Sequence, residues 1–524
     1  MIFTSDLTWI LLLPVIGAFA ALAAPVRYAR WLALLFAAAT FALSMAIFFR
    51  IAANGYNFGD LNHLADTTGQ VPWIDFKASS VHFKIDYFLG VDGLSLPMVI
   101  LNALLTMLSI IGGWEKARVK EYMALLLLLE VGVMGVFMAL DLLLFFLFWE
   151  VELAPMFLLI GIWGYDTPKH GMPGRIYSAW KFLLYTFFGS IFMLAGILLL
   201  YFKLGGNTAS MQYFTTHFLS GISPIFGWSW QLLTFLLIFL AFAIKIPMFP
   251  FHTWLPDAHT DAPTEVSVIL AGVLLKMGAY GLIRICFTLL PEGIREFAPW
   301  LAVIAAINIL YGAGICLVQT DMKKLIAYSS VSHMGIILLG VSAAAAGFGG
   351  IAFRQAALTG ATIQMFSHGL ITGLLFFCVG VISDHAHTRE IAAFGGIAKK
   401  MPLLATLFTF AGLASLGLPG LAGFVAEYIT FTSSYQVWAV VTIVSVFTMI
   451  LTASYLLWML KRVFYGPFNA KWSRLLDANW REALPLVSLA VVIVFVGIFP
   501  NFLIRVITPA LTTIIHVATT VGLH

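Results

Sequence analysis

The chain has 524 residues, of which 61% are hydrophobic and only 10% are charged, well below the charged share of an ordinary soluble domain. A soluble core cannot hide this much apolar sequence, so the composition excludes a soluble protein and predicts a polytopic membrane protein. The net charge of +4, from 28 basic and 24 acidic residues, is too small to favour nucleic acid as a partner.

Apolar runs long enough to cross a bilayer recur along the whole sequence. The first, about Leu7 to Ala24, has no basic residue before it, so we expect a retained helix rather than a signal peptide. The further runs lie near 29–50, 94–113, 121–140, 142–163, 177–203, 230–250, 263–290, 297–318, 323–346, 354–382, 402–434, 437–463 and 483–500. The sequence therefore predicts an all-α fold of about 14 transmembrane helices, followed by a short terminal or interfacial helix.

Basic residues are concentrated in alternate loops. We take the turn with Arg27 and Arg30 as cytoplasmic, and the same side then carries the basic segments 116–120, 169–181, 323–324, 389–400 and 461–481. The other side, to which we assign Arg284, carries fewer basic residues, so both termini are expected outside the cytoplasm. The longest outer loop, about 51–93, contains VHFKIDYFLGVDGLS, which is typical of a strand or hairpin.

Two of the predicted helices are broken. In AFAIKIPMFPFHTWLPDAHTDAPTE, Lys245 lies in an apolar helix just before Pro247 and Pro250. Proline frees backbone carbonyls, which a membrane tolerates only where protein or a water-filled cavity satisfies them. Transporters often build ion sites from a charge beside such a break. The over-long run 402–434 contains LGLPGLAGF and is predicted to be the second broken helix.

Ionisable residues inside apolar segments are costly and usually functional. Those expected near mid-membrane are Glu150, Lys245, Lys276, His333, His368 and Glu427. The alternatives are that the lysines reach the interface and that the histidines are packing residues. Ser329 shares a helix face with His333, and Gln364, His368 and Thr372 recur at steps of four. These polar stripes favour positions in the bundle interior or beside water.

Other candidates are more ambiguous. Glu150 and Glu152 lie two residues apart, hence on different faces of one helix. We expect Glu150 to face the site and Glu152 to face a loop or another subunit. Glu130 is a further candidate. The connection after the first break carries Asp257, His259 and Asp261, which we expect to be cytoplasmic. They would form a proton entrance, although ordinary loop polarity explains them equally well.

Two spacings predict an internal repeat. Glu150 precedes Lys245 by 95 residues, and His333 precedes Glu427 by 94. Each pair places one group in an intact helix and the next in a broken helix. Units of five helices, an odd number, must have inverted topology, as in many transporters. The predicted organisation is an N-terminal segment with three helices and the long loop, two repeats, and a C-terminal helix and tail, at 1–114, 115–290, 291–465 and 466–524.

A proton step follows from these charges. Glu150 beside Lys245 would hold the lysine protonated, and weakening the pair would release its proton. The histidines and Glu427 could pass that proton on. Breaking a buried pair costs several kcal/mol, comparable to moving one charge through about 100–200 mV.

Cofactor motifs are missing from the sequence. The three cysteines, at 286, 316 and 378, each lie alone in an apolar segment, so disulfides, zinc and iron–sulfur clusters have no support. The sequence contains no Walker loop and no GxGxxG motif after a predicted strand, so nucleotide binding has no support either.

Five motifs carry a family resemblance: FLFWEVELAPMF, AFAIKIPMFPFHTWLPDAHTDAPTEVSVILAGVLLKMGAYG, DMKKLIAYSSVSHMG, MFSHGLITGLLFF and LASLGLPGLAGFVAEY. Over about 115–465 the chain resembles the antiporter-like subunits of respiratory complex I, the proton-pumping NADH:quinone oxidoreductase. Glu427 resembles the M-type (mitochondrial subunit 4-like) branch, whereas lysine there is typical of the N-type. The L-type has extra helices, for which we expect no room. Mrp-type sodium/proton antiporter subunits are related.

The resemblance implies a role for each candidate. It makes Glu150 and Lys245 the coupling pair, places Lys276, His333 and His368 on a central hydrophilic axis, and makes Glu427 the outlet. It implies that FMN, iron–sulfur clusters and quinone belong to partner subunits, with L-type and N-type subunits and lipids around this chain. We therefore expect a proton-translocating subunit in a bacterial, or alternatively a mitochondrial, inner membrane. The competing hypotheses are an Mrp-type antiporter subunit and a structural spacer whose buried charges only fix helix packing.

Overall fold

The computed structural model describes residues 5–53, 66–67, 69–78, 81–206, 208–225 and 227–520. The helices are α1 (Asp6–Ala23), α2 (Val26–Ala53), α3 (Ser95–Gly112), α4 (Val119–Met138), α5 (Leu142–Val151), α6 (Leu153–Trp163), α7 (Gly174–Lys203), α8 (Met211–Phe214), α9 (Trp230–Lys245), α10 (Trp254–Asp261), α11 (Thr264–Leu289), α12 (Pro291–Cys316), α13 (Met322–Ala345), α14 (Ile351–Ala386), α15 (Pro402–Ser415), α16 (Ala422–Tyr435), α17 (Ala439–Tyr465), α18 (Trp480–Ile498) and α19 (Pro500–Thr520). The strands are β1 (Asp66–Thr67), β2 (Val71–Ala78), β3 (Val81–Tyr87) and β4 (Gly90–Val91).

Polar side chains start several of these apolar helices. Asp141 accepts hydrogen bonds from the first backbone N–H groups of α5, and Asp321 does the same for α13. Asn479 and Glu482 form a reciprocal capping box at the start of α18. These caps satisfy donors that have no partner inside the helix and fix where each crossing begins.

The membrane-spanning architecture agrees with the prediction. Within the described ranges, 13 helices are long and apolar enough to cross a membrane, with α5 and α6 counted as one. The apolar helices α9 and α15 are shorter, and each is the first half of a broken segment, as predicted. We add these two broken segments to the 13 helices and leave out α19, which is interfacial, so that the bundle has fourteen crossings. The protein is a multi-pass, all-α membrane protein.

One end of the bundle carries additional elements. The strands β2 and β3 form an antiparallel hairpin, which confirms the predicted strand character of this loop. Residues 54–65, 68 and 79–80 of the predicted loop lie outside the described residues. Helix α19 bonds to the start of α12 through Arg295, whose guanidinium donates to the Ala518 carbonyl at 2.8 Å. It also contacts the start of α14 and the end of α2, so it crosses the helix ends as an interfacial helix would.

The centre of the bundle consists of α11, α13 and α14. Every residue in the most apolar window of α11 and of α14 is buried by protein. The two helices cross closely, because a side chain added at Gly369 would meet the Gly272 carbonyl oxygen at 2.6 Å. This crossing brings the polar residues of both helices together away from lipid.

Candidate functional site

The first helix break is stabilised by protein groups. Lys245 ends α9, and residues 246–253 are not helical. Asn308 of α12 accepts a hydrogen bond from the Phe249 N–H at 2.7 Å and donates to the Pro247 carbonyl at 3.3 Å. An amide side chain therefore replaces the backbone partners that the prolines remove. Lys245 is held at the end of α9, inside the protein.

The direct partner of Lys245 is Glu152, and this corrects the sequence prediction. The Lys245 amine forms an ion pair with a Glu152 carboxylate oxygen, and both side chains are almost completely buried. The amine also lies 5.4 Å from the Trp149 ring centre and 5.5 Å from that of Phe182. Glu152 therefore does not face a loop or a subunit surface. The snorkelling alternative for Lys245 is also excluded, because its amine points into the bundle.

The correction has a local cause in the backbone. The prediction assumed one intact helix over 142–163, whereas Glu152 lies at the junction between α5 and α6. Pro155 lacks a backbone donor and disturbs the preceding turn, which separates the two helices. Gly132 of α4 allows the backbone at Glu152 to approach closely, because a side chain there would meet the Glu152 Cβ and backbone N at 2.8 Å. Glu152 is thereby turned towards α4 and α9.

Glu150 lies beside the pair without being its direct partner. Its carboxylate lies near Ser190 of α7 and within electrostatic range of Lys245. One of its oxygens is buried without a hydrogen-bond partner among the described residues. Lys245 thus has one carboxylate in contact and a second one nearby.

Lys276 occupies the crossing of α11 and α14. Its amine donates to the Ala271 carbonyl and lies 2.8 Å from His368 Nδ1. Residues 270–274 of α11 form a π-helical turn, which alters the regular backbone hydrogen bonds around Ala271. Such turns are frequent at functional sites. The π turn and the histidine together hold a lysine whose side chain is completely buried.

A chain of polar groups continues from His368. The rings of His368 and His333 lie 5.5 Å apart, centre to centre. His333 Nδ1 lies 3.4 Å from a Glu427 carboxylate oxygen, and His333 Nε2 lies 3.2 Å from the Ser415 hydroxyl. The Gln364 amide is 3.5 Å from the same Nδ1. The structure thus brings Lys276, His368, His333 and Glu427 into one buried series.

The second helix break positions the last member of this series. Between α15 and α16, Gly417 has φ +78, and a side chain added to it would meet Glu427 Oε2 at 2.8 Å. A glycine is required for both reasons. A cavity of about 10 Å³ adjoins His333 and Glu427, roughly the space for one water molecule.

Lys245 and Lys276 belong to two clusters. Within the described ranges no hydrogen bond joins the two lysines. The helices that carry them, α9 and α11, nevertheless pack closely against each other. A side chain added at Gly278 would meet the Lys245 Cβ at 3.1 Å. The predicted residues therefore divide into an ion-pair cluster and a central series.

The residues after the first break are not in an exposed loop, contrary to expectation. Asp257, His259 and Asp261 lie in α10, where His259 and Asp261 are fully buried. Lys169 bonds to both aspartates at 2.9 and 2.7 Å. Burial alone would lower the Lys169 pKa, but these aspartates outweigh it and hold the pKa above its usual value. His259 instead stacks on Phe376, with no bond from either ring nitrogen to the described residues.

Several buried ionisable groups among the described residues fall outside the predicted core of the site, and Glu130 and the pair Arg284–Asp92 are examples. Glu130 of α4, a candidate from the sequence, is fully buried, and neither of its carboxylate oxygens has a partner within the described ranges. Arg284, which the sequence assigns to the outer side within the predicted span 263–290, lies buried near the end of α11 and pairs with Asp92 at 2.5 Å.

The fold and site together define a class of protein. A bundle of fourteen crossings with two broken helices and buried, connected titratable side chains is an antiporter-type membrane protein. A family model described as NADH:quinone oxidoreductase/Mrp antiporter, TM, matches residues 139–452. NADH-quinone oxidoreductase subunit M of Rhodobacter capsulatus is 40% identical over 498 residues, covering 94% of this chain and 91% of the relative. The chain belongs to this family of antiporter-like membrane subunits.

Solved structures agree with this assignment. A chain of respiratory complex I from Thermus thermophilus with bound NADH matches with a TM-score of 0.80 and 28% identity, covering 97% of this chain and 99% of that one. A chain of the Mrp complex from Dietzia sp. DQ12-45-1b matches with a TM-score of 0.80 and 21% identity, covering 99% and 100%. At that identity the second match shows the fold alone.

Proposed function

We propose that this chain is the M-type, proton-translocating membrane subunit of an NADH:quinone oxidoreductase. The observation that carries the proposal is the buried series Lys276, His368, His333 and Glu427, with the Lys245–Glu152 pair packed beside it through α11. Titratable groups within a few ångströms of one another can pass a proton, whereas a purely structural spacer has no need for them. The similarity to subunit M supports the same assignment.

In this proposal the Lys245 cluster controls the proton and the central series conducts it. Opening the buried ion pair leaves Lys245 without its main counter-charge, which favours release of its proton. Glu150, nearby, is the second carboxylate that can receive the amine. Lys276 and the histidines carry the proton to Glu427, the outlet.

The subunit works within a larger enzyme in this proposal. Other membrane subunits of the complex are its partners, with L-type and N-type subunits flanking it and lipids around it. FMN, iron–sulfur clusters and quinone lie in those partners. The chain resides in a bacterial inner membrane with both termini on the periplasmic side. Its organisation is an N-terminal segment over 1–114, inverted repeats over 115–290 and 291–465, and a C-terminal helix and tail over 466–524.

Replacement of Lys245 tests the proposal. A Lys245→Ala variant should lose proton pumping coupled to NADH oxidation, measured in proteoliposomes that contain the whole complex. Blue-native electrophoresis checks assembly. An assembled variant that pumps normally per NADH would overturn the relay. A Glu427→Gln variant that pumps normally would remove only the outlet assignment.

A second candidate is an Mrp-type sodium/proton antiporter subunit, which is favoured by the matching fold of the Mrp chain. Co-purification with subunits that oxidise NADH favours the first function. Sodium-dependent proton exchange without NADH oxidation favours the second.

A further inference from the structure

A polar cavity opens at the end of the bundle that carries Arg27 and Arg30. Its volume is about 280 Å³. The lining residues come from the ends of α3 and α14 and the start of α18, and they are Ile111, Gly112, Trp114, Glu115, Lys116, Asp384, Asn479, Arg481 and Glu482. Trp114 contacts Trp31 in the first turns of α2, which also carry Arg27 and Arg30, with ring centres 4.8 Å apart. The cavity therefore opens on the side that the basic loops assign to the cytoplasm.

A buried carboxylate lies behind the cavity wall. Glu265, in the first turn of α11, has only 4% of its side chain exposed. Its carboxylate lies 3.4 Å from the amine of Lys116 and accepts a hydrogen bond from Tyr122 at 2.9 Å. Gly112 also lies against this acid, because a Cβ built there would be 3.4 Å from the Glu265 Cγ, an ordinary contact distance. Two wall residues thus adjoin the same buried acid.

The cavity becomes less exposed towards that acid. At the mouth, the Glu115 side chain is 82% exposed and pairs with Arg481. The Lys116 side chain is 23% exposed. Burial alone would lower the Lys116 pKa, but Glu265 outweighs it and raises the pKa above its usual value. A charged path therefore leads from solvent to a carboxylate on the helix that carries Lys276.

The register of α4 against α11 connects this acid to Lys276. The Tyr122 hydroxyl donates to the Glu265 side chain, and the Tyr280 hydroxyl donates to the Phe137 carbonyl. In both contacts the residue of α11 lies 143 positions after its partner in α4. The two helices therefore run parallel in constant register. Glu130 then lies opposite position 273, within one turn of Lys276.

Polar atoms without partners lie along the same interface. On α3, the Ser109 hydroxyl donates to the Glu265 carbonyl at 3.3 Å, and the Asn102 amide donates to the Glu130 carbonyl at 3.2 Å. Between these two contacts lies Thr106. The Thr106 hydroxyl, the Asn102 carbonyl oxygen and both Glu130 carboxylate oxygens are buried without partners among the described residues. Buried polar groups require partners, and ordered water commonly supplies them.

We propose that protons enter through this cavity and pass from Glu265 along the α3–α4–α11 interface to Glu130 and then to Lys276. This inference rests on the proposed function and assigns its inlet. The inlet differs from the one expected at α10, where Lys169 and Lys181 engage the carboxylates. Each step moves a proton between oxygen or nitrogen atoms and needs no redox partner.

Carboxylate replacement in the whole complex provides the first test. We expect Glu265→Gln and Glu130→Gln each to lower NADH-driven pumping by roughly tenfold or more, because a proton-transfer group contributes at least that much to rate. Glu265→Asp should recover much of it. The matched control is Glu121→Gln, an exposed acid beside Tyr122 that lies outside the cavity lining. Assembly is checked for every variant.

Thiol labelling provides a second test that does not remove Glu265. The native cysteines are buried, so an introduced one can be modified selectively. Ile111→Cys lies in the cavity wall, and Ala117→Cys is exposed outside it. A charged methanethiosulfonate reagent should inhibit pumping at position 111 and leave it unchanged at position 117.

The outcomes separate the inlet from the proposed function. Assembled Glu265→Gln and Glu130→Gln complexes that pump normally would overturn the inlet, and so would labelling of position 111 without inhibition. If Lys245→Ala abolishes pumping in the same preparations, only the inlet fails. If Lys245→Ala also pumps normally, the proposed function fails with it.

Discussion

Two carboxylates two residues apart have different environments in this protein. Glu152 contacts Lys245, and Glu150 lies beside Ser190. Helical geometry correctly predicts that the two face different directions. It cannot predict which one contacts Lys245, because both lie close to the amine and the choice depends on how the neighbouring helices pack. Tertiary packing therefore decides the identity of the ion pair.

Glu152→Gln should destabilise the protein more than Glu150→Gln. Removal of one partner leaves the buried Lys245 charge uncompensated, which costs about 3–5 kcal/mol. Thermal unfolding of the purified complex measures the difference. The double variant Glu152→Gln/Lys245→Met should recover stability without pumping, because both members of the contacting ion pair are removed together. Equal destabilisation by the two glutamate variants would contradict the assigned pair.

At the scale of elements, the two broken helices use different means to form similar sites. Proline and the Asn308 side chain shape the first break, and glycine shapes the second. Both breaks were predictable from the sequence, because proline and glycine act on the backbone wherever they occur. The α11 π turn that presents Ala271 to Lys276 was not predictable, since no residue type marks such a turn.

Gly417→Ala tests the second break. A non-glycine residue at φ +78 costs about 1–2 kcal/mol, and the new methyl group also displaces the Glu427 carboxylate. We expect lower thermal stability together with reduced pumping. Gly420→Ala is the matched control, because it has φ +90 with nothing within 4 Å. It should lose similar stability and keep its pumping. Loss of pumping in both variants would argue against the Glu427 contact as the cause.

At the scale of the whole molecule, Asn308 joins the two predicted halves. Asn308 lies in α12, which belongs to the second predicted half. Its two backbone partners, at Pro247 and Phe249, lie in the helix break of the first half. Asn308→Leu leaves the Phe249 N–H and the buried Pro247 carbonyl without this partner. A buried unsatisfied group costs about 1–3 kcal/mol, so the thermal midpoint of the complex should fall. Gln319→Leu, three residues after the end of the same helix, removes only a side-chain bond to the Ile315 carbonyl and should change the midpoint little.

The sequence determines the architecture more fully than it determines the site. Apolar run lengths predicted the crossings, and steps of four correctly grouped the polar residues around His368. Glu265 escaped notice because an acid in a first helical turn is ordinary capping chemistry. Its importance depends on Lys116 and Tyr122, which are distant in sequence and meet it only in the folded bundle.

Helix α11 also has a consequence for biosynthesis. It carries Glu265 and Arg284 near its two ends and Lys276 between them, and its best 18-residue window, too short to contain all three, has a mean hydropathy of 2.0, equal to that of α14. Charged residues at a helix centre oppose insertion by about 2.5–3.5 kcal/mol each, and the surrounding leucines, isoleucines and valines offset this cost. A helix that is fully shielded from lipid in the folded bundle is therefore also apolar enough, by its average hydropathy, to be a candidate for insertion into the bilayer. Because charged side chains are costly in lipid, they favour movement of α11 from lipid into the bundle once α4 and α14 are present.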